Sequence, residues 1–218
     1  MPALVVDDLS AGGPLSLVLD GRSVVEHAVA ALRRAGLPTV LVVGPRTLAV
    51  TEGARPPAGD TGLCTVEVAT SDIAVAVRAA LSIRAGHAPT HVLVHDPCAP
   101  LLPAAAVDDL VARVALAPEA VHALSRPVTD TVKIVRDGEI RETVPREGLR
   151  DLASPVVLPV ALVDDLEPCA TLVELLDAVC RRAPLVTVNA PVLGKVVHDS
   201  ASAIVLRALR DLAIEDRT

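Results

Sequence analysis

The sequence predicts a single α/β domain built on a mostly parallel sheet, with a projecting β-hairpin arm. Three observations carry this. Short β-branched apolar runs alternate with helical patterns along most of the 218 residues. One of these runs, His91-Val92-Leu93-Val94, stops at His95-Asp96-Pro97, where proline prevents the ladder from continuing. Late in the chain, alternating segments flank Asp137-Gly138, the strongest short hairpin signal there is.

In chain order, Ala3–Val6 reads as a buried first strand and Asp7–Pro14 as a loop containing Gly12-Gly13-Pro14. Ser23 and Glu26 form a capping-box start for a helix that stops at Gly36. That role suffices for Glu26, and neither it nor His27 needs a catalytic one. Thr39–Val43 is the second strand. Residues 52–62 form a Pro/Gly-rich loop, and Cys64–Val68 alternates as a strand. Ser71 is the expected cap of a helix through Ile83 or Arg84. After the His91 strand, Pro103 stands at the expected first position of a helix to about Leu116. Ala120–Leu124 is a short strand. Thr131–Val135 and Glu139–Val144 form the arm, spanning 129–145. A strand at Val156–Val160, a helix at Thr171–Arg181, a strand at Leu185–Val188 and a helix at Ser200–Ile214 complete the chain. The length suits one domain, 1–218.

Composition narrows the function. Hydrophobic residues are 51%, enough to build a core, yet no apolar run approaches the ~18 residues that a membrane span needs. With no signal-peptide pattern before the first strand, the expectation is a soluble cytoplasmic protein. Net charge is −7, from 20 basic and 27 acidic residues, which argues against nucleic-acid binding. Cys64, Cys98, Cys169 and Cys180 are widely spaced, as reduced thiols are, without a C-x-x-C zinc pattern. There is no Phe, Tyr or Trp, so no aromatic ring is available to stack on a base.

The strand at 91–95 delivers His95 and Asp96 to its carboxyl end, where open α/β sheets bind ligands. On this stretch alone, Asp96 reads most simply as a turn cap. In register with other segments it reads differently. VLVHD at 92–96, PVTDTVK at 127–133, TVPREGL at 143–149 and Gly194-Lys195, together with VVEHAVAAL at 24–32, resemble the 2-C-methyl-D-erythritol 4-phosphate cytidylyltransferase family in order and spacing. The resemblance implies a Rossmann-like nucleotidyltransferase fold and a homodimer clasped through the 129–145 arm. It implies a reaction in which a small phosphorylated substrate attacks the α-phosphorus of CTP, with Mg²⁺, releasing pyrophosphate. By the same resemblance, Asp96 is a nucleotide and metal ligand, Gly12 and Gly13 belong to the nucleotide loop, Lys195 is catalytic, and Thr131, Arg146 and Thr171 hold substrate.

The departures are specific. The family's first loop carries Gly-x-Gly-x-Arg and then Pro-Lys. Here VVDDLSAGGPL at 5–15 is shorter, lacks both cations and begins with Asp7-Asp8. Carboxylates there repel a triphosphate unless a metal intervenes. The second nucleotide segment has Ala69-Thr70, Ile73 and Ala76 in place of Gly-Gly, Arg and Ser. Ala99 replaces an arginine, Thr171-Leu172 replaces Thr-Asp, and Ser154-Pro155-Val156 replaces Thr-Pro-Gln. Losing one preorganised donor costs about 10²–10³ in rate, and here several are lost together. The expectation is therefore a divergent family member with weak or lost cytidylyl transfer. Its alternatives are an active cytidylyltransferase with a rebuilt loop, and a non-catalytic dimeric binding or regulatory protein. The cofactor is Mg²⁺ if the chain is active, and otherwise none.

Overall fold

The computed structural model describes residues 1, 3–6, 18–37, 40–44, 63–67, 72–82, 89–191, 205, 207 and 208. Strand β1 (Ala3–Val6) is followed by a minimal hairpin, β2 (Val18–Leu19) and β3 (Arg22–Ser23). Asp20 and Gly21 between them have φ of 52° and 78°, the left-handed pair that a tight hairpin turn requires. Helix α1 (Val24–Arg34) starts as its sequence predicts. The Ser23 hydroxyl accepts the Glu26 N–H, and the Glu26 carboxylate accepts the Ser23 N–H at 2.7 Å. Gly36, with φ 70°, follows the helix end.

Next come β4 (Val40–Gly44), β5 (Leu63–Glu67), α2 (Ile73–Ser82), β6 (His91–His95), α3 (Ala104–Val114) and β7 (Val121–Pro127). The arm is β8 (Val132–Arg136) and β9 (Glu139–Val144), followed by β10 (Arg150–Pro159), α4 (Ala161–Asp164), α5 (Leu172–Cys180) and β11 (Leu185–Asn189). The β2–β3 hairpin and α4 are not foreseen, β7 runs three residues past the expected Leu124, and three further differences bear on the site. Asp72 caps α2: its Oδ1 accepts the N–H groups of Ala74 and Val75, while Ser71 lies outside the described residues. Pro103 is the cap of α3, one position before the first helical residue, because its ψ of 140° is extended. Strand β10 starts six residues earlier than the apolar pattern, since its exposed first residues carry charge. Residues 205, 207 and 208 are helical, within the expected terminal helix; the rest of 200–214 lies outside the described residues.

The seven-stranded sheet has the order β11-β7-β10-β6-β1-β4-β5. β1 is parallel to β4 and β6, β4 to β5, and β7 to β11. β10 is antiparallel to both of its neighbours, β6 and β7, so it alone is reversed in this sheet. The strand order turns back between β1 and β6, which opens a crevice at their carboxyl ends.

Helices cover both faces. α1 and α3 pack on one side with Leu93, Leu124 and Val157. α2, α4 and α5 pack on the other with Val94, Ala123 and Val156. The largest fully buried side chains are leucines, Ile73 and His95, as a chain without aromatics requires. The arm stands apart as its own two-stranded sheet, turned by Asp137 and Gly138 at φ 53° and 77°.

Candidate functional site

The crevice is built from the end of β6. His95 pairs with Val5 of β1, so Asp96 leaves the sheet beside the end of that strand. The Asp96 N–H donates to the Ser154 Oγ at 2.7 Å, and Ser154 Oγ lies 2.8 Å from His95 Nδ1. A hydroxyl oxygen has two lone pairs and one proton, so Ser154 Oγ accepts from Asp96 and either donates to or accepts from His95 Nδ1, according to the His95 tautomer. His95 is fully buried, and burial pushes its pKa from the ordinary 6.5 down to about 4, with the Ala99 backbone acting weakly in the opposite direction. Nε2 has no hydrogen bond of normal geometry among the described residues.

Asp96 is itself held in a turn. Its Oδ1 accepts the Cys98 N–H at 2.7 Å, and its carbonyl accepts the Ala99 N–H at 3.1 Å. The simple reading of Asp96 as a turn cap is therefore correct as local geometry. The same turn fixes the carboxylate at the switch point of the sheet. One carboxylate there suits Mg²⁺, which takes one or two carboxylates and completes its shell with water and substrate phosphates. Among the described residues no cluster of three or more His, Cys, Asp or Glu could hold an ion without substrate. Cys98 is buried, at 8% exposure, in a poor position for a nucleophile.

Thr171 is the N-cap of α5, and its Oγ1 accepts the Glu174 N–H at 3.1 Å. α5 returns into β11, which runs with β7, so its N-terminus faces the same carboxyl edge as Asp96. Asp72 joins it there by accepting the Cys169 N–H at 3.1 Å. Burial pushes the Cys169 thiol pKa up, and Asp72 and Glu174 add to this.

Thr131 and Arg146 flank the foot of the arm, both exposed, and an Arg146 Nη1 N–H donates to the Thr129 carbonyl. The sequence-derived site is thus split between the sheet edge, with Asp96 and Thr171, and the arm, with Thr131 and Arg146. Gly12, Gly13 and Lys195 lie outside the described residues.

Sequence reasoning misses three residues at this edge. Ser154, a departure from the family's pattern, keeps a hydroxyl and spends it on Asp96 and His95. Asp72 stands next to Ser71, an equally good cap by residue type. Arg150 lies ahead of the apolar pattern of its strand. Its Nε donates to Ser125 Oγ at 2.8 Å and its Nη2 to Asn189 Oδ1 at 2.7 Å. The charged pair Arg150-Asp151 shortly before an apolar strand is the available signal.

Comparison with known proteins agrees with this architecture. The family model described as IspD, 2-C-methyl-D-erythritol 4-phosphate cytidylyltransferase, matches residues 11–178. The chain is 37% identical over 138 residues to a bifunctional enzyme IspD/IspF of Paracoccus denitrificans (strain Pd 1222), covering 63% of this chain and 34% of that protein. It thus spans about a third of that relative's length. Among solved structures, 4-diphosphocytidyl-2C-methyl-D-erythritol synthase from Anaerococcus prevotii DSM 20548 superposes with a TM-score of 0.75 at 15% identity, over 97% of this chain and 98% of that one. The 2-C-methyl-D-erythritol 4-phosphate cytidylyltransferase from Thermus thermophilus superposes with a TM-score of 0.69 at 23% identity, over 96% and 98%. At these identities the superpositions speak for the fold, a single α/β unit of nucleotidyltransferase type. With the family model covering most of its length, the chain belongs to the 2-C-methyl-D-erythritol 4-phosphate cytidylyltransferase family.

Proposed function

We propose that this chain binds the substrates of its family, a methylerythritol phosphate and CTP, and transfers cytidylyl groups weakly or not at all. In an active member the substrate phosphate oxygen attacks the α-phosphorus of CTP and pyrophosphate leaves. Charge develops on the phosphoryl oxygens, so cations and N–H donors aimed at them supply the rate. Mg²⁺ would neutralise part of that charge. Asp96 would hold it, with its turn already fixed by Ser154 and Cys98. Lys195 would stand beside the reacting phosphates, and Gly12 and Gly13 would approach them by backbone.

The observation that carries the reduced-activity reading is the chemistry of the nucleotide segments. The stretch 5–15 has two aspartates and neither Arg nor Lys. Ile73 and Ala76 are buried in the core, and so is Ala99, at the positions where the family is polar or cationic. The substrate side keeps more: Thr131 and Arg146 remain exposed at the arm. A methylerythritol phosphate should therefore bind more readily than CTP. A homodimer through residues 129–145 is supported by the exposed apolar side chains of the arm, Val135 and Ile140, at 57% and 61% exposure. No described helix is long and apolar enough to cross a membrane.

The test is titration with Mg²⁺ and CTP, followed by pyrophosphate release with methylerythritol phosphate. Turnover near 1–10³ s⁻¹, roughly the ordinary enzyme range, would overturn the reduced-activity reading. The competing reading, an active enzyme with a rebuilt first loop, is favoured by one observation: Arg150 puts a cation at the sheet edge from another element.

A further inference from the structure

We infer that Arg150 is a phosphate-binding residue at the carboxyl edge of the sheet, where β7 and β11 end, taking the phosphate monoester of the substrate on its Nη1 edge. The inference rests on the proposal that the sheet edge is a substrate site. Its own support is geometric.

Strand β10 is reversed, so it begins where its neighbours end. Arg150, its first residue, pairs with Pro127 at the far end of β7, and Leu152 pairs with Ser125. The Arg150 side chain bends back over this ladder. Its Nε donates to Ser125 Oγ at 2.8 Å, and its Nη2 donates to the Ser125 carbonyl at 3.1 Å and to Asn189 Oδ1 at 2.7 Å. Ser125 is completely buried and Asn189 closes β11. Two strands thus fix the guanidinium plane. Ser154, which holds Asp96, lies on the same strand, four residues beyond Arg150.

Three of the five guanidinium N–H groups are used, which leaves both protons of Nη1. Among the described residues, Nη1 makes no hydrogen bond and Arg150 pairs with no carboxylate. The adjacent Asp151 is taken by Arg126, at 2.9 and 2.7 Å. A clamp between strands needs only hydrogen bonds, and every acceptor here is neutral. The positive charge is left over, in a protein of net charge −7. A preorganised guanidinium with two free donors is suited to a phosphate dianion. The sequence of the first loop, 5–15, has neither Arg nor Lys to supply that charge.

The experiment is calorimetric titration of the full chain with inorganic phosphate and with methylerythritol phosphate, using unphosphorylated methylerythritol as the control. Both phosphates should bind and the neutral polyol should not. Arg150→Gln should weaken phosphate binding about tenfold or more, and Arg150→Lys should retain part of it. Asn189→Ala, which keeps the charge and loosens the clamp, should fall between parent and Arg150→Gln. Arg126→Gln should bind as the parent does. Thermal melting separates lost binding from lost fold. Wild-type protein that binds neither phosphate overturns the inference, as does a folded Arg150→Gln that binds phosphate within about twofold of the parent. Phosphate binding through Arg150 without pyrophosphate release from CTP supports this site and leaves the transfer reading to fail alone. Transfer that occurs with an unchanged KM for methylerythritol phosphate in Arg150→Gln overturns this inference and leaves the family function standing.

Discussion

The Ser154 hydroxyl accepts the backbone N–H of Asp96 at 2.7 Å, across 58 residues of sequence. The one reversed strand of the sheet thereby fixes the residue that follows β6. The same hydroxyl serves His95 on its other side, so a single small side chain satisfies two groups at the centre of the crevice.

Ser154→Ala should therefore cost more than an ordinary hydroxyl deletion. It leaves the buried His95 Nδ1 without its partner and the Asp96 N–H without its acceptor. An unsatisfied buried polar group costs about 1–3 kcal/mol, so a loss of about 2–3 kcal/mol is expected. Ser154→Thr keeps the hydroxyl and should recover most of it. Urea unfolding measures both, and a Ser154→Ala midpoint equal to the parent's would contradict the network.

The buried His95 gives stability a defined pH dependence. Its folded pKa is about 4, against 6.5 in the unfolded chain. Between these values the unfolded chain binds a proton that the folded chain does not. Stability contributed by keeping His95 neutral is complete above pH 6.5, is lost as pH falls toward 4, and then levels. The total is on the order of 3 kcal/mol. Acidic residues titrate at the lower end of this window, so the comparison is with His95→Leu, which should lack the loss between about pH 6.5 and 5. An identical slope in both proteins would exclude His95 as the source.

Much of this is legible in the sequence, for local reasons. The α1 capping box, the Asp137-Gly138 turn and the β6 stop at Pro97 each depend on residues within a few positions of one another. What is not legible depends on pairing at long range. The reversal of β10 has no local signature, and it is what brings Ser154 to Asp96 and Arg150 to Ser125. Serine in place of threonine at 154 looks like a loss in the sequence because the hydroxyl's partner is 58 residues away. Ser71 and Asp72 are both good caps by residue type, and only the backbone register chooses between them.

Asp72→Ala should loosen the edge without touching the sheet. Asp72 Oδ1 accepts from Ala74 and Val75 at the start of α2 and from Cys169 before α5. Loss of a cap costs about 0.5–2 kcal/mol, and the tether to Cys169 puts this case toward the upper end. The Cys169 thiol, buried and held protonated partly by Asp72 itself, should then react faster with iodoacetamide than in the parent. Unchanged alkylation together with unchanged stability would mean that the two helix starts are not coupled through Asp72.

Asp96→Asn separates the two jobs of Asp96. An asparagine Oδ1 still accepts the Cys98 N–H, and the backbone still donates to Ser154, so both hydrogen bonds of the turn survive. Thermal melting should show a folded variant, since neither of these two hydrogen bonds needs the charge. The charge, however, is gone. Mg²⁺ binds carboxylate far better than amide, and no described cluster of acidic residues or histidines stands in for Asp96. Binding of Mg²⁺ with CTP should therefore fall about tenfold or more, while methylerythritol phosphate, held by cationic groups, should bind as before. Calorimetric titration of both ligands against one folded variant decides it. Equal loss for the two would make Asp96 a structural residue of the whole crevice. No loss for either would remove it from the nucleotide site.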